Sequence, residues 1–391
     1  MLGAGLFVWQ NWFWNRLIWS RLVLELFDCS LTMHTFTTQT FKMNYSIGDK
    51  HLTKCHRLSW FPKVFFFTAL MHVAFLQVAI LQSELLSQDS VDPNSNNFRP
   101  FVDDSDADYW LTNMLGYHKL NSQELAWATG LTREEIGKRY TKFRKGADLK
   151  VAYPRDRLLL LPYPGGRHPR IGFLDGALRP QRETKISVFL PWDPKNSYVV
   201  VDVPEAIWSN LGLTYLAHTH IPTVFDKQKK RIQQMEWDRS KSGELYLKRV
   251  LPNKIEFTSR VTSHKNHVRM SMTLSNGTDA NLTDLRVQNC VMLKAAKDFN
   301  QQTNDNKRFI GPYVVCHNSS KNKWILTAWK PVHRPWANPP CPCLHSDPKF
   351  PDCAPGEMQK LEGWLSFYEG QDIDGEVKRI EKLKWWDQTP K

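Results

Sequence analysis

The chain has 391 residues, with 52 Lys and Arg against 39 Asp and Glu, for a net charge of +13. At 41% apolar, 12% aromatic and 23% charged, it is excluded from the collagen-like, coiled-coil and fully disordered classes. That apolar share fills one large domain or two ordinary ones, and the basic surplus favours anionic partners without choosing among them.

Val64–Gln82 (VFFFTALMHVAFLQVAILQ) carries no formal charge over nineteen residues and is introduced by Lys50, Lys54, Arg57 and Lys63. A basic flank ahead of an apolar run is the pattern of a secretory signal or a membrane anchor, and this length just spans a bilayer. Met43 suits the start of such a segment. Residues 1–42 then read as a mis-called N-terminal extension and 43–87 as signal peptide or anchor. Everything beyond is exported: periplasmic, secreted, or tethered to the membrane through residues 64–82. A buried core helix is the competing reading of the same run.

Residues 88–106 (QDSVDPNSNNFRPFVDDSD) are polar, acidic and interrupted by proline, hence a linker. A helical block follows over 107–150. Its three helices are expected at Ala107–Leu120, Ser122–Thr129 and Arg133–Arg144. Asn121 with Glu124, and Thr132 with Glu135, have capping-box spacing, and Gly130 stops the middle helix. SQELAWATGLTREEIGKRY also has the form of a helix-turn-helix, with Ala126, Gly130 and Ile136 at its close-contact positions and a basic second helix. Behind an export segment there is no chromosome to read. A helical hairpin with a solvated basic face is preferred, and nucleic acid is disfavoured as a partner.

From residue 151 to 375 the texture changes to about eleven short Val-, Ile-, Leu- and aromatic-rich runs set off by Pro, Gly, Asn and Asp. Such spacing predicts a mainly β fold: a large antiparallel β-sandwich preceded by the small helical block and the hydrophobic export segment. Helix is expected to interrupt at Pro204–Leu211 and Asp226–Met235. Asn276-Gly277-Thr278 reads as a turn between two strands, APGEMQKLEGWLSFYEG as a turn leading into a closing strand, and 376–391 as a charged tail.

The phrases RIGFLDGALRPQRETKISVFLPW, VVVDVPEAIWSNLGLTYLAHTHIPT, LRVQNCVMLKAA and CPCLHSDPKFPDC resemble a family of uncharacterised exported proteins of planctomycete-type bacteria. This likeness, over Phe98 to Asp374, implies compartment and lineage but transfers no catalytic residue. Strand texture and the late Pro-Gly-Glu turn give the second half a looser resemblance to the β-supersandwich of galactose-mutarotase-like and polysaccharide-processing proteins. Fold likeness of that kind does not license function.

Candidate chemistry sits in three places. On a strand His218 and His220 project to one face, as metal ligands do, so a divalent metal is a candidate cofactor there. The spacing resembles the first cupin motif, but only Asp226 follows where Glu is expected; hydrogen-bonded surface histidines are the alternative. Asp175, Arg179, Arg182, Glu183 and Lys185 crowd charge around a turn before an apolar strand. They form either a guanidinium clamp for a uronic acid or sulfate, or a salt-bridged hairpin. With Trp192 as a stacking face, Asp175, Arg179 and Arg182 make a candidate ligand site for a polysaccharide or other anionic glycan. Cys290, Cys316, Cys341, Cys343 and Cys353 read first as disulfide partners in an oxidising compartment; a zinc held within CPCLHSDPKFPDC, with His345, is the weaker alternative. The resulting expectation is an exported β protein that binds or processes polysaccharide. A non-catalytic envelope protein and a membrane-tethered helix-turn-helix regulator are the other two readings.

Overall fold

Sixteen strands, all paired antiparallel, account for the strand-rich texture in the computed structural model, which describes residues 98–146, 151–173, 175, 182–217, 221–230 and 232–387. They are β1 Leu160–Pro162, β2 Lys185–Phe189, β3 Tyr198–Asp202, β4 Ala206–Ser209, β5 Gly212–Leu216, β6 Glu244–Val250, β7 Ile255–Ser263 and β8 His267–Asn276. The second half adds β9 Val287–Gln288, β10 Val291–Met292, β11 Lys307–Ile310, β12 Tyr313–His317, β13 Lys323–Lys330, β14 Val332–Asn338, β15 Cys343–Pro348 and β16 Met358–Glu369. A six-stranded sheet runs β1-β2-β3-β10-β15-β14, a seven-stranded sheet β11-β12-β13-β16-β8-β7-β6, and a three-stranded sheet β5-β4-β9.

Side-chain alternation explains the packing. Along β7 and β8 buried and half-buried residues alternate strictly, so Ile255, Phe257, Val261, Val268, Met270, Met272 and Leu274 share one face. They join Ile186, Val188, Val199, Val201 and Leu344 of the six-stranded sheet in one continuous apolar core. Both larger sheets are covered on their other faces as well, which is why β2, β3 and β12 are buried throughout. Behind the seven-stranded sheet, Tyr313, Val315, Trp324, Leu326 and Trp364 pack against the C-terminal helix. Behind the six-stranded sheet, Phe189, Tyr198, Val200 and Met292 pack with Tyr163, Cys290 and Cys343.

The helical block matches its capping signals. α1, Asp104–Leu111, passes into a π-helical turn, Thr112–Tyr117, where one helix was expected; α2 is Ser122–Thr129 and α3 Arg133–Gly146. Asn121 and Glu124 form the reciprocal capping box, and Gly130 closes α2 at φ 74°. The exposed basic face of α3 is partly neutralised: Lys138 pairs with Glu134, and Arg139 lies near Asp104.

Several expectations need correction. Pro204–Leu211 is strand and turn rather than helix, because Ala206 and Ile207 are held in a ladder between β9 and β5, with Ile207 buried. Asp226–Met235 shrinks to one helical turn, α4 Val224–Lys227, beyond which Lys229 takes a left-handed conformation. LTDLRVQNCVML is two short strands in different sheets, and β16 lies centrally between β13 and β8. Part of the segment read as a tail is α5, Ile373–Lys382, whose Ile373, Val377 and Ile380 form a buried stripe at i, i+4 and i+7; Trp385 behind it is fully buried. No helix among the described residues is long and apolar enough to cross a membrane, and Val64–Gln82 lies outside them.

Candidate functional site

Register places a row of polar groups across the outer face of the six-stranded sheet. Lys185 of β2 pairs with Asp202 of β3, and Asp202 N donates to the carbonyl of Cys290. Because Val291 opposes both Val201 and Leu344, Cys290 stands next in register between Asp202 and His345, and His345 opposes Trp336 of β14. Residues directly opposite in a ladder share a face, so Lys185, Asp202, Cys290, His345 and Trp336 line up side by side.

The Lys185 end of the row is an ion-paired interior. Lys185 Nζ lies 3.0 Å from Asp202, both side chains having no solvent exposure, and 3.3 Å from the carbonyl of Ala217. Glu183 receives Arg249 at 2.6 Å and Arg99 at 3.2 Å; Arg182 pairs with Glu236 at 2.9 Å and lies 3.7 Å over the Trp110 ring. Arg170 pairs with Glu205 at 2.6 Å.

Of the sequence candidates, Arg182 is therefore enclosed at 6% exposure rather than presented to a ligand. Asp175 accepts from the backbone N–H of His168 and lies 3.4 Å from Lys294. Trp192 is half-buried against Phe299 and Phe367, on the main core rather than beside Arg182. Arg179, His218 and His220 lie outside the described residues.

The cysteines depart from the disulfide expectation. Cys290, Cys316, Cys341, Cys343 and Cys353 are all buried free thiols. Cys290 Sγ, Cys343 Sγ and a ring nitrogen of His345 lie within 4.8 Å of one another, and Cys343 Sγ is 3.2 Å from His345 Nε2. Cys341 Sγ accepts from the Cys343 thiol, and Asn338 Nδ2 donates to Cys341 Sγ at 3.0 Å. Strand alternation puts Cys343, His345 and Asp347 on one side of β15, with Asp347 Oδ1 3.4 Å from His345 Nδ1. Burial pushes the Cys290 thiol up, but the Cys343 hydrogen bond and the neighbouring His345 and Arg170 outweigh it and lower it; the Cys343 bond likewise lowers Cys341. Cys353 and Cys316 sit elsewhere: Cys353 Sγ is 3.3 Å from the Glu357 carbonyl, and Cys316 is in the main core. Sequence spacing offered Cys341, Cys343 and His345 but paired them with Cys353, because the β10–β15 register that brings in Cys290 is a long-range fact.

An open cleft lies on the far side of the molecule's seven-stranded sheet, at the start of α5. Its volume is about 410 Å³, and it is lined by Arg308, His317, Ser320, Lys321, Trp324, Gln371 and Ile373. Lys321 is exposed at the β12–β13 turn; Arg308 is exposed and bonds Asp374 through one nitrogen at 2.8 and 3.0 Å. His317 Nδ1 bonds the Asn318 carbonyl at 2.8 Å, so that nitrogen carries the proton, and the ring meets Trp324 edge-on at 5.0 Å. Cations, amide, hydroxyl and indole line it without a carboxylate. The aromatic and basic composition signalled such a surface, but no motif singled out these residues.

No family model and no curated protein matches the chain. Solved structures similar to it include a protein assigned as a kojibiose phosphorylase from the human microbiome, at 8% identity and TM-score 0.27, covering 49% of this chain and 26% of that one. A protein assigned as an aldose 1-epimerase of Escherichia coli K12 aligns at 8% identity and TM-score 0.30, covering 48% and 96%. A polysaccharide lyase aligns at 10% identity and TM-score 0.31, covering 59% and 35%. The chain thus spans about a quarter of the phosphorylase, and no residue role is carried over from any of the three.

Proposed function

We propose that this is an exported protein that binds an anionic polysaccharide in the cleft between the β12–β13 turn and the start of α5. The carrying observation is the lining: the two exposed cations Arg308 and Lys321, with Ser320 and Gln371, around the Trp324 indole. Guanidinium and ammonium groups suit carboxylate or sulfate substituents, hydroxyl and amide groups match sugar hydroxyls, and the Trp324 indole, 4% exposed, makes the apolar floor beneath them. Hydrolysis needs two carboxylates flanking the glycosidic bond, and the lining has none, so binding is preferred to glycoside hydrolysis. One observation favours a second reading. His317 shares the cleft with Arg308 and Lys321, a set able to take a proton and hold a uronate, as β-elimination of an acidic glycan requires.

A glycan array weighted toward uronated and sulfated polysaccharides tests the reading. Retention of acidic glycans by the wild type, lost in Lys321→Glu, supports it. Silence of the wild type across the array, or retention unchanged by Lys321→Glu, overturns it. Appearance of unsaturated product from a retained glycan selects the elimination reading.

A further inference from the structure

We propose that Cys290, Cys341, Cys343 and His345 hold one zinc ion as a closed structural centre that ties β10 to β15 and to the β14–β15 hairpin. The donors converge from separated stretches of chain: Cys290 from the link between β9 and β10, Cys341 just before β15, and Cys343 and His345 from one face of β15. Tetrahedral zinc with Zn–S near 2.3 Å and Zn–N near 2.0 Å holds its ligand atoms about 3.5–3.8 Å apart. Cys290, Cys343 and His345 already bring their ligand atoms within 4.8 Å of one another, with Cys343 Sγ 3.2 Å from His345 Nε2. Cys341, also buried, lies two residues before Cys343 and accepts a hydrogen bond from its thiol; it stands outside the three-ligand cluster and turns inward to fill the fourth corner.

The surroundings complete the chemistry. Asp347 receives His345 Nδ1 while Nε2 faces the thiols, the carboxylate–histidine arrangement that fixes a ring for metal binding. Three thiols surrender their protons to solvent on binding, so the centre carries one net negative charge, and the field of the Arg170 guanidinium, itself paired with Glu205, favours the thiolates. With Cys290 at 0%, Cys343 at 1%, His345 at 1% and Cys341 at 7% exposure, substrate has no approach. That burial separates the set from a catalytic thiol–imidazole pair, and an S₃N donor set with no open position is that of structural zinc. Coordination also protects thiols that an oxidising compartment would otherwise pair.

Metal analysis of the full-length chain, purified without chelator and then dialysed against zinc, tests this. About one zinc per chain is expected, falling at least ~5-fold in Cys290→Ser and Cys343→Ser and unchanged in Cys316→Ser and Cys353→Ser. Should the ligand variants fail to fold, wild-type protein loaded with cobalt should show thiolate-to-metal charge-transfer bands and intense tetrahedral ligand-field bands, and chelation should expose three further thiols to alkylation. A wild type that takes up neither metal, a cobalt spectrum without thiolate bands, or a disulfide among Cys290, Cys341 and Cys343 in a peptide map overturns the proposal. None of these outcomes bears on the glycan cleft.

Discussion

Trp336 lies flat on His345, ring centroids 3.9 Å apart and planes 15° from parallel, while its indole N–H donates at 2.5 Å to Asp347, whose other oxygen faces His345 Nδ1. The three residues make a small frame: β14 supplies the lid, and β15 supplies the ring and the carboxylate that orients it. Trp336→Phe keeps the stacking and removes the donor. We expect a loss of about 1–2 kcal/mol in urea unfolding, the value of one charge-assisted hydrogen bond, and a weaker hold on His345. An unchanged midpoint would show that the indole N–H contributes nothing to the frame.

At the other end of the row, Lys185 and Asp202 are a fully buried ion pair. Removing one partner strands the other charge, so Lys185→Met should cost about 3–5 kcal/mol, and the double variant Lys185→Met/Asp202→Leu should recover most of that loss. Denaturant titration of the four proteins of that cycle measures the coupling. Additive losses would contradict it.

The imidazole of His118 is buried beneath the helical block, bonded to the Asn113 carbonyl and, at 2.7 Å, to Ser187. Burial lowers its pKa to about 3, against the Asn113 hydrogen bond that raises it. Below about pH 6.5 the unfolded chain takes up a proton that the folded chain refuses until about pH 3. Its contribution is therefore complete above 6.5 and is lost as pH falls through that window, at about 1.4 kcal/mol per pH unit. His118→Gln should flatten the acid limb of a stability–pH curve; an identical limb would remove His118 from the account.

Gly363 of β16 lies opposite Trp329 of β13, and a Cβ built there would stand 2.6 Å from the indole ring. Trp329 is 1% exposed and set in the main core, so the ring has little room to yield. Gly363→Ala should destabilise by about 1–3 kcal/mol, read as a lowered thermal midpoint. A neutral result would mean that this close approach is not constrained.

At the cleft, Lys321→Ala and Arg308→Ala should each weaken acidic-glycan binding about 10-fold while barely moving stability, since the Arg308–Asp374 pair is exposed. Titration calorimetry at rising salt should show the wild type losing affinity more steeply than either variant. Equal salt slopes would argue that the two cations do not face the ligand.

Local chemistry was legible in the sequence wherever it was complete within a few residues. Asn121, Glu124 and Gly130 announce α2 and its ends, and the alternation over Ile255–Ser263 and His267–Asn276 announces β7 and β8. What depended on distant register was not. Pro204–Leu211 looks helical until β9, far along the chain, supplies its ladder partner. The Ile373–Lys382 stripe is short and hidden among charges, so its burial against β12, β13 and β16 was not apparent. Arg182 and Glu183 were visible as a charge cluster, but their partners, the exposed Glu236 and the buried Arg249 and Arg99, come from residues dozens of positions away. Likewise Cys341, Cys343 and His345 were seen together, while Cys290 joins them only through strand pairing.

X-ray absorption at the zinc edge of the metal-loaded full-length protein tests most directly the claim that Cys290, Cys341, Cys343 and His345 form one centre. The account predicts three sulfur scatterers at about 2.3 Å and one nitrogen at about 2.0–2.1 Å. A first shell made of oxygen and nitrogen alone would contradict it.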